Sequence, residues 1–511
     1  MKKKIRIVLI AIAVYLTLLF LLLLSEQRAA GSPIRTFWDA VWYSLVTLTT
    51  VGYGDLVPVT VFGKILGIVF SLCSIGALAA LIGLGFRIIT GDILPRAYLR
   101  RRKNRNWYVF DTENRDTVLL SQRLKEQDPQ AVIVFAGAEK KDTETVRAVR
   151  IALEPEQVLA LRGGKKEGLH LFFQSDDLWN NYRAAYECAK KGIASYCQSY
   201  FSAEDLPQDL HILDRTELVS RAYWKEHPLT ERERCVILIG CGRNGSALLE
   251  RALLVNVFEK ERNTEYHVFL DTERFCEEHS VIGEKLSQEN TGEDRLIFHS
   301  ESWEKCRVLM EQADRIVICT DDDAQILGIC ETMKTWFALN ADIHVLLDEC
   351  VPGICSFGDA ESVMTVEFVM KDAVNRQARF MNDLYRSGTG KGKEWSELGP
   401  FLRASNIAAA DHLAVKVRYL LGDESITELT PQVFQAAYRQ YLAKRDACGD
   451  VMREMEHRRW MRFHELYNWR YGAERNDASR CHPLMVPFEQ LTPEQQKNDE
   501  YAWEILGKMT E

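Results

Sequence analysis

Thr49-Thr50-Val51-Gly52-Tyr53-Gly54-Asp55 has the residue types of a cation-coordinating ladder. The backbone carbonyls of Thr50, Val51, Gly52 and Tyr53 can aim at one axis, and the Thr50 hydroxyl can add a further ring. Four copies around that axis would replace the hydration shell of a dehydrated K⁺ ion. Gly52 and Gly54 reach backbone angles that residues bearing a Cβ resist. The alternative is a plain glycine turn between two apolar helices.

A second set is Gly240-Cys241-Gly242-Arg243-Asn244-Gly245, after the strand-like run 235–240 and before a helix over Ser246–Val255. Such glycines let the backbone approach a pyrophosphate at a helix N-terminus. A further strand, His267–Leu270, ends on Asp271, 26 residues past Gly245 and suited to ribose hydroxyls. Strands at Leu296–His299, Arg315–Thr320 and Ile343–Leu347 complete a βαβ series, which predicts a parallel sheet. Thr320 and Asp321, with Asp322 and Asp323, follow the fourth strand. They form a ligand rim or a divalent-cation site, or else the cap of the next helix. A third set lies near the end of the chain. Trp460, Trp469 and Tyr471 offer flat faces, and Arg475 and His482 offer charge and hydrogen bonds. A base stacked on the rings with its phosphate on Arg475 would fit, and so would an aromatic core in a small domain.

The first set needs a scaffold in lipid. Ile7–Leu24 is an apolar run about 27 Å long as a helix, close to a bilayer's hydrocarbon thickness. A cleaved signal peptide is the alternative, but the run is long for one and no small-x-small site follows. A second span is expected over 61–86, with small residues suited to close helix packing. Between the spans, Thr36–Thr47 is too short to cross and reads as a re-entrant helix, with Trp42 and Tyr43 packed behind the ladder. Lys2, Lys3, Lys4 and Arg6 precede the first span, and Arg100–Lys103 with Arg105 follow the second. Both flanks are therefore expected in the cytoplasm, and no arginine-rich voltage-sensing helix is present in the sequence.

The 511 residues are too many for one domain, and the net charge of −9 hides an asymmetry. Residues 1–110 carry 14 Lys and Arg against 4 Asp and Glu, a balance of +10, which leaves −19 for the remainder. The acidic bulk argues against a nucleic-acid partner. Thirteen cysteines without a CxxC pair suit a reduced compartment rather than a disulfide framework or a zinc site.

The TVGYGD run between two apolar spans resembles the selectivity filter of two-transmembrane-helix potassium channels. Following it, the GxGxxG lobe resembles the regulator of K⁺ conductance (RCK) domain, and 106–230 resembles a degenerate first copy. There Asp111, Glu113 and Asp116 stand where a phosphate loop would carry glycines. The tail resembles the ryanodine-receptor repeat (RyR) domain: Glu456-His457-x-x-Trp460, Trp469-x-Tyr471-Gly472, Arg475-x-Asp477 and His482-Pro483-x-x-Val486-Pro487 fall in that family's order. Ser405-Asn406 and Ala410-Asp411-His412 match a stretch found upstream in bacterial relatives, while Asp499-Glu500 departs from the usual Asp-Arg.

These resemblances imply an α-helical two-span pore domain, α/β Rossmann-like RCK domains and a small α-helical C-terminal RyR domain. The expected divisions are 1–95 (pore), 96–230, 231–390 (the glycine-loop lobe), 391–450 (helical linker) and 451–511. The implied filter is Thr50, Val51, Gly52, Tyr53, Gly54 and Asp55, with K⁺ as the permeant ion. The implied nucleotide site is Gly240, Gly242, Arg243, Asn244, Gly245, Asp271, Thr320 and Asp321, taking NAD(H) or ADP/ATP. The implied RyR-type ligand residues are Trp460, Trp469, Tyr471, Arg475, Asp477 and His482, for a small nucleotide-like ligand. The expected protein is a homotetrameric, ligand-gated, non-enzymatic channel of the cytoplasmic (inner) membrane with both termini in the cytoplasm. Rival readings are a membrane-tethered dehydrogenase and a nucleotide-binding scaffold or regulatory subunit that recruits a protein through the RyR domain.

Overall fold

The computed structural model describes residues 2–137, 148–201, 206–288, 293–348, 354–390 and 392–509; side chains at 2–12, 73–78, 80, 81, 92 and 389 are outside the description. The chain divides into two compact units, residues 1–102 with 150–152, and residues 103–149 with 153–511.

The first unit is helical. Helix α1 (Lys2–Glu26) and helix α3 (Val61–Ile88) cover the two apolar runs, and α2 (Phe37–Leu48) is the short helix between them. The start of α2 is fixed by a reciprocal cap: the Asp39 amide donates to the Thr36 hydroxyl, and the Thr36 amide donates to the Asp39 carboxylate. Beyond α3 the backbone does not loosen. It passes through one wide π-helical turn, Ile89–Ile93, into α4 (Leu94–Arg101). Among the described residues, no helix is long and apolar enough to cross a membrane. Large apolar side chains nonetheless face outward along α1 and α3, among them Phe20, Val61, Ile68, Leu72 and Phe86.

The second unit holds two doubly wound lobes. The first has strands β1 (Trp107–Phe110), β2 (Val132–Ala136), β3 (Val149–Ile151), β4 (Leu169–Phe173), β5 (Ala194–Gln198) and β6 (Leu210–Leu213), in the order β3-β2-β1-β4-β5-β6. The second has β7 (Cys235–Ile239), β8 (Glu265–Phe269), β9 (Arg295–His299), β10 (Arg315–Ile318), β11 (Asp342–Leu346) and β12 (Cys355–Phe357), in the order β12-β11-β10-β7-β8-β9. The two orders are the same permutation. The expected strands of the second lobe are all present, with β12 added at its edge. Central pairs such as β1 with β4 and β7 with β10 are parallel, so ligands of such a sheet belong at the carboxyl ends of β7 and β10, where the winding reverses.

One apolar core joins the lobes to the C-terminal helices. It includes Phe110 and Tyr223, Leu248 and Val317, and Phe463 and Leu466, all buried. A second core gathers Ile407, Leu413, Phe434, Tyr441, Met455 and Trp503. Between these cores runs a single 36-residue helix, Pro431–Leu466, which passes unbroken through the expected division at 450/451.

Candidate functional site

The ladder segment leaves α2 with a repeating backbone. Thr50, Gly52 and Gly54 have φ of 58°, 60° and 76°, while Val51 and Tyr53 between them do not enter positive φ. Alternating hands turn successive peptide planes over, which is how consecutive carbonyls come to share one side. Thr50 adopts this angle despite its branched Cβ, a strained conformation that the surroundings must hold. They do so from α2: the Val51 and Gly52 amides both donate to the Val46 carbonyl, at 3.0 and 3.3 Å. The Trp42 indole donates to Asp55 at 2.9 Å and stacks on Tyr53, with ring planes 7° apart.

The helices are tied to each other as well. The Tyr15 and Ser44 hydroxyls are 2.6 Å apart. Glu26, fully buried at the end of α1, accepts from the Val59 and Thr60 amides at 3.0 Å and from the Thr60 hydroxyl at 2.6 Å. These are orphan donors at the start of α3, so one helix end satisfies the next. A Cβ on Gly63 would overlap the Glu26 carboxylate, and one on Gly67 would lie 2.5 Å from the Tyr43 hydroxyl.

In the second unit the glycine turn sits at the predicted carboxyl edge. Gly240 has φ 95°, and a Cβ there would lie 2.7 Å from the Thr320 amide nitrogen. A Cβ on Gly245 would overlap the Gly240 carbonyl, and one on Gly242 would lie 2.7 Å from the Asp321 carboxylate. The turn faces an open cleft of about 370 Å³ between the lobes, lined by Arg243, Asn244, Thr320 and Asp321 on one side and Asp214, Arg215 and Thr216 on the other.

Polar contacts line and cross this cleft. Arg243 lies 3.5 Å from Asp214, and its guanidinium sits 4.0 Å over the Tyr200 ring. Asn244 donates to Asp321 at 3.2 Å, and Arg215 pairs with Asp348 at 2.6 Å and with Asp116 at 3.2 Å. Burial raises the Asp214 carboxyl, and the Arg243 charge pulls it partly back. A phosphate entering here would meet two guanidiniums and the amides of the turn, and would have to displace Asp321 from Gly242. Asp271 does not line the cleft. It is exposed on the turn after β8, where it and Leu270 take φ of 55° and 64°. Asp322, for its part, caps helix Asp323–Trp336 by accepting from the Ala324 amide.

The acidic turn of the first lobe is tied to its neighbours by hydrogen bonds and an ion pair. Asp111 accepts from the Gln174 amide at 2.8 Å, and burial pushes its carboxyl up to about 6.

The tail residues converge only in part. Trp460 packs on His464 and His482, with ring centres 4.1 and 4.9 Å apart. Trp469 is 4% exposed and stacks on Phe401, so it is a core side chain and not a free face for a base. The Arg475 guanidinium lies 5.9 Å from the Trp469 ring and is held by Asp477 at 2.8 Å. Tyr471 is 61% exposed on a two-residue strand, Arg470–Tyr471, paired with Cys481–His482.

With this geometry in place, the comparisons bear on the first unit. Residues 5–91 match the ion channel family model. A 74-residue stretch is 47% identical to the voltage-gated potassium channel of Aeropyrum pernix, covering 14% of this chain and 25% of that relative. A 62-residue stretch is 36% identical to the calcium-gated potassium channel TvoK of Thermoplasma volcanium, covering 12% and 18%. The Shal potassium channel of Drosophila melanogaster is 41% identical over 69 residues, covering 14% and 12%. The chain therefore spans a quarter or less of the length of these curated relatives. Among solved structures, the GsuK channel bound to NAD aligns at TM-score 0.34 with 10% identity, over 75% of this chain and 86% of that one. GsuK bound to ADP aligns at 0.30 with 14% identity, over 68% and 90%.

Several residues hold these elements together through contacts that the sequence alone did not give them. Asp411 receives a forked pair of bonds from Arg221 and a third from Arg251, all at 2.9 Å. It thereby joins the helix after β6, the glycine-turn helix and helix Pro400–Asp411. His412 is fully buried against the Val257 carbonyl at 2.7 Å. Lys416 and Glu456 form a buried pair at 2.6 Å, with Arg459 on the same carboxylate at 2.7 Å. Burial alone would raise Glu456; Arg459 and Lys416 reverse this and hold it at about 2. Lys416 also moves down, because burial and the Arg459 charge outweigh the Glu456 and Asp499 carboxylates. Two cations sharing the Glu456 carboxylate favour its charged form and leave the lysine short of compensation. Arg462 pairs with Asp294 at 3.0 Å, and Arg458 donates to the Phe258 carbonyl. A lysine amid Leu413-Ala414-Val415-Lys416-Val417 was the available signal for the first of these groups.

Proposed function

We propose that this chain is the subunit of a homotetrameric, ligand-gated, potassium-selective channel of the cytoplasmic membrane. One observation carries the reading: the Thr50–Asp55 ladder, with alternating backbone hands, hung from a short helix and braced by Trp42. In one chain these residues are exposed. Four such chains around an axis would bury them against each other and give K⁺ its shells of carbonyls. The outward apolar faces of α1 and α3 are what lipid and neighbouring subunits would cover.

The cleft beside Gly240–Gly245 is the site proposed for an adenine nucleotide, ADP/ATP or NAD(H), with Arg243 and Arg215 as anion partners. Because the cleft is walled by both lobes, a ligand there would favour one lobe packing over another, and only that difference in affinity can shift gating. The RyR-like tail is proposed as a second sensor, with Trp460, Tyr471, Arg475 and His482 as its recognition residues. No catalytic step is assigned to either site.

The test is K⁺ efflux from liposomes containing the full-length protein, with and without ADP, ATP and NAD(H). K⁺ efflux altered by one nucleotide, with the alteration weakened in Arg243→Ala, is expected. Efflux absent under every condition overturns the channel reading; efflux indifferent to all of them overturns the assignment of the cleft.

A further inference from the structure

We propose that His299, Glu301 and Cys306 form a binding site for a divalent transition metal of Zn²⁺ type, on the outer edge of the second lobe. Their donor atoms lie within 4.8 Å of one another. A tetrahedral zinc with ordinary Zn–N, Zn–O and Zn–S bonds would set such atoms roughly 3.3–3.7 Å apart. The approach still needed is within the reach of side-chain rotation. One imidazole, one carboxylate and one thiol make a mixed set that suits borderline Zn²⁺ better than Mg²⁺ or Ca²⁺.

The backbone presents the three groups together for a structural reason. His299 ends β9, the edge strand, and Cys306 sits at the start of helix Arg307–Gln312. The chain between them is pinned by Trp303, buried in a single 3₁₀ turn against Phe337. Glu301 is exposed at the rim, so an ion can enter from solvent. The Cys306 thiol already faces the Glu301 carboxylate.

The surroundings orient the imidazole as metal sites do. The His299 ring lies flat on Phe269, with centres 4.2 Å and planes 6° apart. Its Nε2 is 3.0 Å from Nδ1 of His267, a buried residue on β8. The far nitrogen of His267 lies 3.7 Å from Glu265, which is itself paired with Arg295 at 2.7 Å. With His299 Nε2–H donating to His267 Nδ1, the His299 Nδ1 lone pair is left for the metal; His267 Nε2 makes no hydrogen bond, the Glu265 carboxylate at 3.7 Å lying beyond reach of one. A ligating histidine whose other N–H is held in this way is the usual outer-sphere arrangement.

A second trio, His227, His344 and Cys355, also meets the distance criterion. The Arg315 guanidinium donates to the His227 carbonyl at 2.6 Å, and its charge disfavours a cation there. That trio serves as the internal control.

The experiment uses full-length protein stripped with chelator and titrated with Zn²⁺ or Co²⁺. One metal per chain is expected, and Co²⁺ should give a thiolate-to-metal charge-transfer band. Cys306→Ser should abolish that band, Cys355→Ser should leave it, and His267→Ala should weaken Zn²⁺ binding about 10- to 100-fold. In the unaltered protein, Zn²⁺ should protect Cys306 from alkylation and leave Cys448 and Cys481 reactive. That last measurement needs no variant to fold. A band that survives Cys306→Ser, a band lost in Cys355→Ser, or Cys306 alkylation indifferent to Zn²⁺ would each overturn the site.

Discussion

Replacing Asp411 should loosen three helices at once. Its carboxylate takes two bonds from Arg221 and one from Arg251. Arg221 is only 4% exposed, and Asp411 itself about one-fifth. Removing one partner of a buried ion pair costs about 3–5 kcal/mol. Here the loss is smaller, because Arg221 keeps the Asn375 side chain at 2.6 Å and the Val374 carbonyl at 2.7 Å. Asp411→Ala should therefore cost about 2–3 kcal/mol, and Asp411→Asn, which keeps an acceptor but no charge, about 1–2 kcal/mol. A unit this large does not unfold in one step, so the quantity to measure is local opening by amide hydrogen exchange. Exchange in helices 215–226, 243–255 and 400–411 should rise together, by about 30- to 150-fold in Asp411→Ala. Acceleration confined to the turn around residue 411, or none, would refute the claim that this carboxylate joins the three helices.

Three further outcomes follow from the geometry. Gly245→Ala should abolish calorimetric nucleotide binding by the full-length protein, since its Cβ meets backbone, whereas Gly242→Ala meets only the movable Asp321 side chain and should weaken it less than tenfold, about 1 kcal/mol. Glu456 is held at about 2 against an ordinary 4.5. Its contribution, on the order of 3 kcal/mol, is therefore complete above pH 4.5 and lost as pH falls through 2; the local opening free energy from amide exchange in helices 413–421 and 431–466 should drop between pH 5 and 3, and Glu456→Gln should flatten that slope. Trp42→Phe deletes the 2.9 Å bond to Asp55 while keeping a ring beside Tyr53, so single-channel records should show shorter openings at unchanged ion preference.

The helices of the first unit were legible because apolar length and short-helix capping are local properties. The second lobe was legible for a similar reason: buried parallel strands are continuous apolar runs, as in Cys235–Ile239. What was missed depends on distant residues meeting. Trp469 reads as a free aromatic until Phe401, 68 positions earlier, covers it. The division expected at 450/451 falls inside helix Pro431–Leu466, because packing at both ends carries the helix through Gly449. Asp411 and Lys416 carry no local sign of their partners, because Arg221 and Glu456 come from other elements. The cleft's far wall, Asp214 and Arg215, belongs to the lobe whose turn lacks glycines, so a search for phosphate loops passes over it.

The most direct test of the central claim is the reversal potential of the reconstituted full-length protein with K⁺ on one side of the bilayer and an equal concentration of Na⁺ on the other. A carbonyl ladder of the Thr50–Tyr53 kind predicts a potential far from zero, of the sign set by K⁺ permeation, which collapses toward zero in Gly52→Ala. A potential near zero in the unaltered protein, or one that Gly52→Ala leaves in place, would contradict the account.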